Sequence, residues 1–157
     1  KGKVEIESKE GEGTEFILTF PKSEKPIWFA DKIELKKGDI VVILDDDESV
    51  HELWKEKFRR YEKEIPLKYF TDGKETVEYL KTLGKKEKVF LLTDYKLKNQ
   101  NINGIDVIEK SGMEERSILF TGEYLSAIDS FNEKAKFLIM FHKTNIVDIP
   151  LEIKSCS

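Results

Sequence analysis

Several features that would settle a function at once are scarce or absent in this sequence. The single cysteine, Cys156, cannot close an internal disulfide, so a reducing, cytoplasmic setting is the expectation for the chain, although its parent may be attached to a membrane. No apolar run is longer than five residues, against the ~20 needed to cross a bilayer, and no signal peptide opens the chain. Membrane contact by this chain is therefore not expected. No basic stripe emerges either. Net charge is −4, and the first 38 residues hold eight basic and eight acidic side chains, so the acidic excess lies beyond residue 38. Scattered lysines among acids exclude a nucleic-acid-binding face. There is no internal repeat and no low-complexity tract. The chain also lacks an initiating methionine, as a piece of something larger would. What remains is 157 residues, 39% hydrophobic and 37% charged, enough for one full-sized core and an appendage.

The organising stretch is DIVVILDDDES, residues 39–49. Ile40 to Leu44 form a run of five apolar residues, four of them β-branched, as in a parallel strand buried on both faces. It ends on Asp45, Asp46 and Asp47. Ligands bind beyond the carboxyl ends of strands in open α/β sheets, so acids placed there sit rigidly at the mouth of the sheet. Adjacent like charges repel, and a bound cation would offset the repulsion. The bland reading of the three acids is a helix N-terminus favoured by the dipole.

The chain around this strand divides readily. Residues 1–20 alternate at Val4 and Ile6, break at Gly11 and Gly13, and resume at Phe16, Leu18 and Phe20, which reads as a hairpin that needs a surface to lie on. Residues 22–38, with five lysines, two glutamates, Ser23 and Pro26, read as a linker whose apolar cluster, Ile27, Trp28 and Phe29, is expected to pack against a neighbouring module. After the acids, Val50, Leu53, Trp54, Phe58 and Tyr61 recur at helical spacing, with Ser49 and Glu52 in capping-box register. These aromatics read as core rather than as a platform for bases. A strand follows around Ile65–Phe70, then a helix capped by Asp72 with Val77, Leu80 and Leu83 inward. Further strands are VFLLTD (89–94), SILFT (117–121) and FLIMFHK (137–143), with helices at IDVIEK and about Leu125–Ala135 between them. This alternation implies a doubly wound, five-stranded parallel sheet with helices on both faces. His51 reads as a solvated helix position, and His142 as a packing residue turned away from Lys143.

Strand ends then deliver Asp45, Asp46, Asp94, Thr121 and Lys143 to one edge of the sheet. An aspartate can act as nucleophile toward a phosphoryl group once the charges are neutralised, and a hard divalent cation such as Mg²⁺ suits a small acidic pocket. The lysine would pair with one phosphoryl oxygen and the threonine hydroxyl would donate to another.

With those residues in place, 39 to about 145 resemble a response-regulator receiver domain, of flavodoxin-like fold and strand order 2-1-3-4-5. The resemblance implies that Asp94 is the phosphorylated residue, that Asp46, Asp94 and the backbone carbonyl of Lys96 ligate Mg²⁺ with Asp45 acting through water, that Thr121 is the switch hydroxyl, and that Lys143 is the invariant lysine. It implies a phosphohistidine donor domain as partner, either in the chain's own kinase or in a separate phosphotransfer protein. Residues 1–21 resemble the last stretch of a histidine-kinase ATPase domain, through Ser8, Gly11, Gly13, Thr14, Phe16 and Pro21. Together the two are similar to the C-terminal half of a hybrid sensor histidine kinase, with the receiver spanning 39–157. Kinase activity is not expected of the chain itself, since the nucleotide-binding boxes and the phosphodonor helix are missing.

The sequence departs from the family at named places. Lys98 stands where a proline is usual, four residues past Asp94, and the loop to Gly104 is longer. Thr144 replaces the proline that favours a cis peptide after the lysine. Met140 takes the usual aromatic switch position, with Phe141 on the other face. Only fourteen residues follow Lys143, interrupted by Pro150, so the last helix is expected to be short or absent. Two other classes stay open: a receiver-like interaction module that is never phosphorylated, and a haloacid-dehalogenase-like phosphohydrolase using Asp45 and Asp47, with Asp45 as nucleophile.

Overall fold

In the computed structural model, residues 1–84, 88–123 and 139–155 are described. Five parallel strands form the central sheet: β4 (Ile40–Leu44), β5 (Leu67–Phe70), β6 (Val89–Asp94), β7 (Ser117–Thr121) and β8 (Ile139–His142), in the spatial order β5-β4-β6-β7-β8. Counting only these five in chain order, that is 2-1-3-4-5, as expected. The helices are α1 (Glu48–Phe58), α2 (Gly73–Thr82) and α3 (Gly104–Ser111). The expected helix over Leu125–Ala135, the first two residues of the expected last strand and Cys156 lie outside the described residues.

The continuous apolar strands are explained by burial on both faces. Alternate residues point to opposite sides of a strand, so Val42, Leu44, Leu91 and Leu119 meet Val77, Leu80, Val107 and Ile108 of α2 and α3 on one face. Val41, Ile43, Leu92 and Phe120 meet Val50, Trp54 and Phe58 of α1 on the other. There Trp54 lies 5.5 Å from Phe120, and Phe120 lies 6.1 Å from Phe141, ring centre to ring centre. Tilted aromatic pairs of this kind add about 0.5–1.5 kcal/mol each beyond their buried area.

Helix starts follow local chemistry. Asp47, not Ser49, caps α1: its carboxylate accepts from the Ser49 amide at 2.9 Å and the Ser49 hydroxyl at 2.6 Å. The Ser/Glu spacing matched a capping box two residues too late, because the aspartate at 47 is the stronger competitor for the free amides. Asp72 caps α2 as expected, and Asn103 caps α3 in a reciprocal box with Asp106.

Three departures concern segments outside the sheet. The stretch expected as a linker contains strand β3 (Ile33–Lys36), which pairs in parallel with β9 (Leu151–Lys154). Ile33 and Leu35 are fully buried against the α1 face, where Ile146 and Ile149 join them. Past the sheet, a 3₁₀ turn (Lys143–Ile146) and β9 stand in the described residues where a last helix was to be short or absent. Just before β3, the Met140 amide donates to the Trp28 carbonyl at 2.7 Å and the Ala30 amide to the Met140 carbonyl at 2.8 Å, so this segment covers the open edge of β8. Trp28 packs on the core, but Ile27 stands 92% exposed, because the cluster turns inward only after it.

The hairpin forms as read, β1 (Lys3–Lys9) against β2 (Gly13–Thr19), with Val4 opposite Leu18 and Ile6 opposite Phe16. The surface expected beneath it is not among the described residues: every residue from 1 to 27 is exposed.

Candidate functional site

Strand β4 brings Asp45 and Asp46 to the carboxyl edge of the sheet, and β6 brings Asp94 to the same edge beside it. Carboxylate oxygens of all three lie within 4.8 Å of one another. Asp45 is fully buried and Asp94 nearly so, while Asp46 is partly open. Lys143, the first residue after β8, places its ammonium 2.6 Å from Asp45 Oδ2 and 2.9 Å from Asp94 Oδ2. The contact to Asp94 is an aligned hydrogen bond. That to Asp45 is a close ion pair, leaving Asp45 Oδ2 buried without an aligned donor. Register sets Asp94 opposite Phe120, so Thr121 ends the next strand one step beyond, at the same rim.

Charge is incompletely balanced here. Burial pushes the Asp45 carboxyl up to about 6 even though Lys143 and the Asp47 amide pull it down. Burial raises Asp94 in the same way, again against the pull of Lys143. For Lys143 burial opposes the ammonium, but the two carboxylates together outweigh it and hold its pKa above the ordinary lysine range. Two of the three acids thus share one part-buried ammonium, and the third, Asp46, has only an exposed lysine nearby. An all-oxygen set of three clustered carboxylates, two of them paired with the single ammonium of Lys143, fits a hard divalent cation, which would offset the remaining charge.

The other residues singled out from the sequence lie around this cluster or away from it. Asp47 is outside the cluster, since its carboxylate is committed to the start of α1. Thr121 is buried, and its hydroxyl accepts from the Glu123 amide at 3.0 Å, closing the turn after β7. Lys96 points its side chain at Glu123, Nζ to Oε1 2.7 Å, joining the loops after β6 and β7 beside a cavity of about 500 Å³. Met140 and Phe141 are fully buried on opposite faces, as strand alternation requires. Among the described residues no peptide is cis. His142 caps the 3₁₀ turn, its Nδ1 2.7 Å from the Thr144 hydroxyl. His51 is not solvated. It is buried against Tyr69, ring centres 5.2 Å apart, and burial, helped by nearby Lys55, lowers its pKa. Helical spacing did carry the signal: His51 stands three and seven residues before Trp54 and Phe58 on the buried face, whereas Leu53, expected in the apolar stripe, is 45% exposed.

Two further residues support the site: Gly104, read from the sequence only as the end of the loop after Asp94, and Gln100, not singled out at all. Gly104 is needed because a Cβ there would lie 2.1 Å from the Asp94 carbonyl oxygen, so the loop returning from the site can pass only as glycine. Gln100 fastens the same loop across the mouth: its side chain accepts from the Gly73 amide and donates to the Thr71 carbonyl, both at 2.8 Å. A glycine after a strand-end acid is a readable signal; a glutamine in an Asn-rich loop is not.

No protein-family model matches the chain, and no curated protein does. Solved structures do resemble it. The receiver domain of response regulator 1452 from Francisella is 17% identical over 69% of this chain and 90% of that one, with a TM-score of 0.50. A response regulator receiver protein from Sinorhizobium medicae WSM419 is 13% identical over 70% and 91%, with a TM-score of 0.53. The signal receiver domain of an HD domain-containing protein from Pseudomonas fluorescens Pf-5 is 14% identical over 69% and 77%, with a TM-score of 0.56. The chain has the flavodoxin-like fold of receiver type.

Proposed function

We propose that residues from about 39 onward form a phosphoacceptor receiver module of two-component signalling, in which Asp94 takes a phosphoryl group from a phosphohistidine. The observation that carries this is the ammonium of Lys143 lying within 3 Å of both Asp45 and Asp94, two buried acids from different strands. In the transfer an Asp94 oxygen attacks phosphorus, the P–N bond breaks, and the imidazole leaves with the electron pair. Lys143 is placed to exchange part of its carboxylate pairing for a phosphoryl oxygen. Thr121 sits at the adjoining strand end, where its hydroxyl can leave the Glu123 amide and donate to another. Asp46 and Asp94, with the Lys96 carbonyl, would hold Mg²⁺, and Asp45 would act through water. The ion would supply charge neutralisation for the incoming group.

The hairpin at residues 1–21, joined to this module, supports a place in a hybrid sensor histidine kinase, whose kinase core would be one source of the phosphoryl group. The phosphohydrolase reading is weakened by Asp47, which caps α1 instead of joining Asp45. Incubation with a small acyl phosphate and Mg²⁺, followed by mass-spectrometric mapping, tests the assignment. Label on Asp94, lost in Asp94→Asn, is the expected result. Label on Asp45 would favour the hydrolase, and no label an unphosphorylated interaction module.

A further inference from the structure

We propose that Lys98 is a built-in counter-ion of the acidic cluster, holding Asp46 while the site is free of metal and giving way when a divalent cation enters, so that it sets the cation concentration at which the site loads. The inference rests on the phosphoacceptor reading and deepens it. Of the three clustered acids, Asp45 and Asp94 share Lys143. Asp46 is left to Lys98, whose Nζ lies 3.9 Å from its Oδ2.

The backbone beneath Lys98 is fixed. Leu97 and Ile102 are buried on either side of it. Asn99 takes a left-handed turn at φ 59° directly after it. Gln100 pins the loop to the segment between β5 and α2 through two hydrogen bonds, and the Asn103 box starts α3. The tip, in contrast, is free to move: the Lys98 side chain is 69% exposed, while that of Asp46 is only 16% exposed. A long cationic side chain on a rigid base reaches the most open of the three acids, and can withdraw into water at little cost. A cation that takes an oxygen of Asp46 must first remove this ammonium from it.

Mn²⁺ is a suitable probe, since its binding is read directly by electron paramagnetic resonance without any phosphoryl transfer. We compare the 157-residue chain with Lys98→Met, which keeps the stem, Lys98→Arg, which keeps the charge, and Lys96→Met, which removes a neighbouring loop charge engaged with Glu123. Lys98→Met is expected to bind Mn²⁺ about 3-fold more tightly than the parent at low salt, with the gap closing as salt rises. Lys98→Arg should stay near the parent, and Lys96→Met should change less than Lys98→Met. Equal affinity of the parent and Lys98→Met, or an equal gain from Lys96→Met, overturns the proposal; persistent acyl-phosphate labelling of Asp94 in the same proteins would leave the phosphoacceptor reading standing. Absence of Mn²⁺ binding in both the parent and Lys98→Met would overturn the counter-ion together with the metal site it serves.

Discussion

The two ends of the central sheet bury aspartates against cations, and they balance them differently. At the amino edge, Asp39 is almost wholly buried and accepts from the Lys36 amide at 2.8 Å and from Arg116 Nη2 at 2.7 Å, while Arg116 Nε donates to the Val89 carbonyl. One acid meets one guanidinium, and the guanidinium is anchored again by the backbone. At the carboxyl edge three acids cluster, Asp45 and Asp94 on the part-buried ammonium of Lys143 and Asp46 beside exposed Lys98, and burial raises the pKa of both Asp45 and Asp94. The first arrangement is complete, and nothing further has to arrive. The second is left short of positive charge by the fold itself, as a site awaiting a cation and a phosphoryl group would be.

If that contrast is right, removing a charge should have opposite effects at the two edges. The largest effect is expected at the amino edge, where Arg116→Ala strands Asp39 without its partner and should cost about 3–5 kcal/mol in a urea titration. Exchanging both partners for apolar residues should recover much of that loss. At the carboxyl edge, Gly104→Ala forces the loop away from the Asp94 carbonyl and should cost about 2–3 kcal/mol, with acyl-phosphate labelling impaired as well. Asp45→Asn should do the reverse and stabilise the metal-free protein at neutral pH by on the order of 1–2 kcal/mol.

The pH dependence gives the same contrast a sign. The folded chain holds the Asp45 proton up to about pH 6, above the unfolded value of 3.8. Its contribution to stability is therefore present below about 3.8 and lost as pH rises through about 6. Subtracting the Asp45→Asn profile from the parent profile should isolate a fall across that window; a difference that stays flat would mean the acid is well compensated after all. The smallest effect is expected outside both edges, where Phe16→Ser on the exposed hairpin should move the denaturation midpoint by no more than about 0.5 kcal/mol equivalent.

The same contrast separates what could be read in the sequence from what could not. Strands 89–94 and 117–121 appear with the bounds read from their apolar runs, because burial on both faces leaves an uninterrupted hydrophobic signature. Asp45, Asp46, Asp94 and Lys143 converge because strand ends in a parallel sheet share one rim, so their chemistry could be collected without knowing any contact. The Asp39–Arg116 pair spans 77 residues and follows no periodicity, and nothing local marks either member as a partner. Strand β3 was hidden for a related reason. Alternating Ile33 and Leu35 between charged residues is only four residues of pattern, and its partner β9 is more than a hundred residues away. His51 was legible by its spacing, on the face of Trp54 and Phe58, and only its polar side chain argued for solvent; Tyr69 covers it.

The parallel pairing of β3 with β9 also has a mechanical meaning. Chain enters β3 at the end where Ile33 faces Leu151 and leaves β9 at the end where Lys36 faces Lys154. A pull transmitted from the hairpin side against one beyond residue 154 would run along the two strands in opposite senses, loading their hydrogen bonds together in shear instead of opening them one by one. The clip would then resist stretching before the sheet behind it feels any tension.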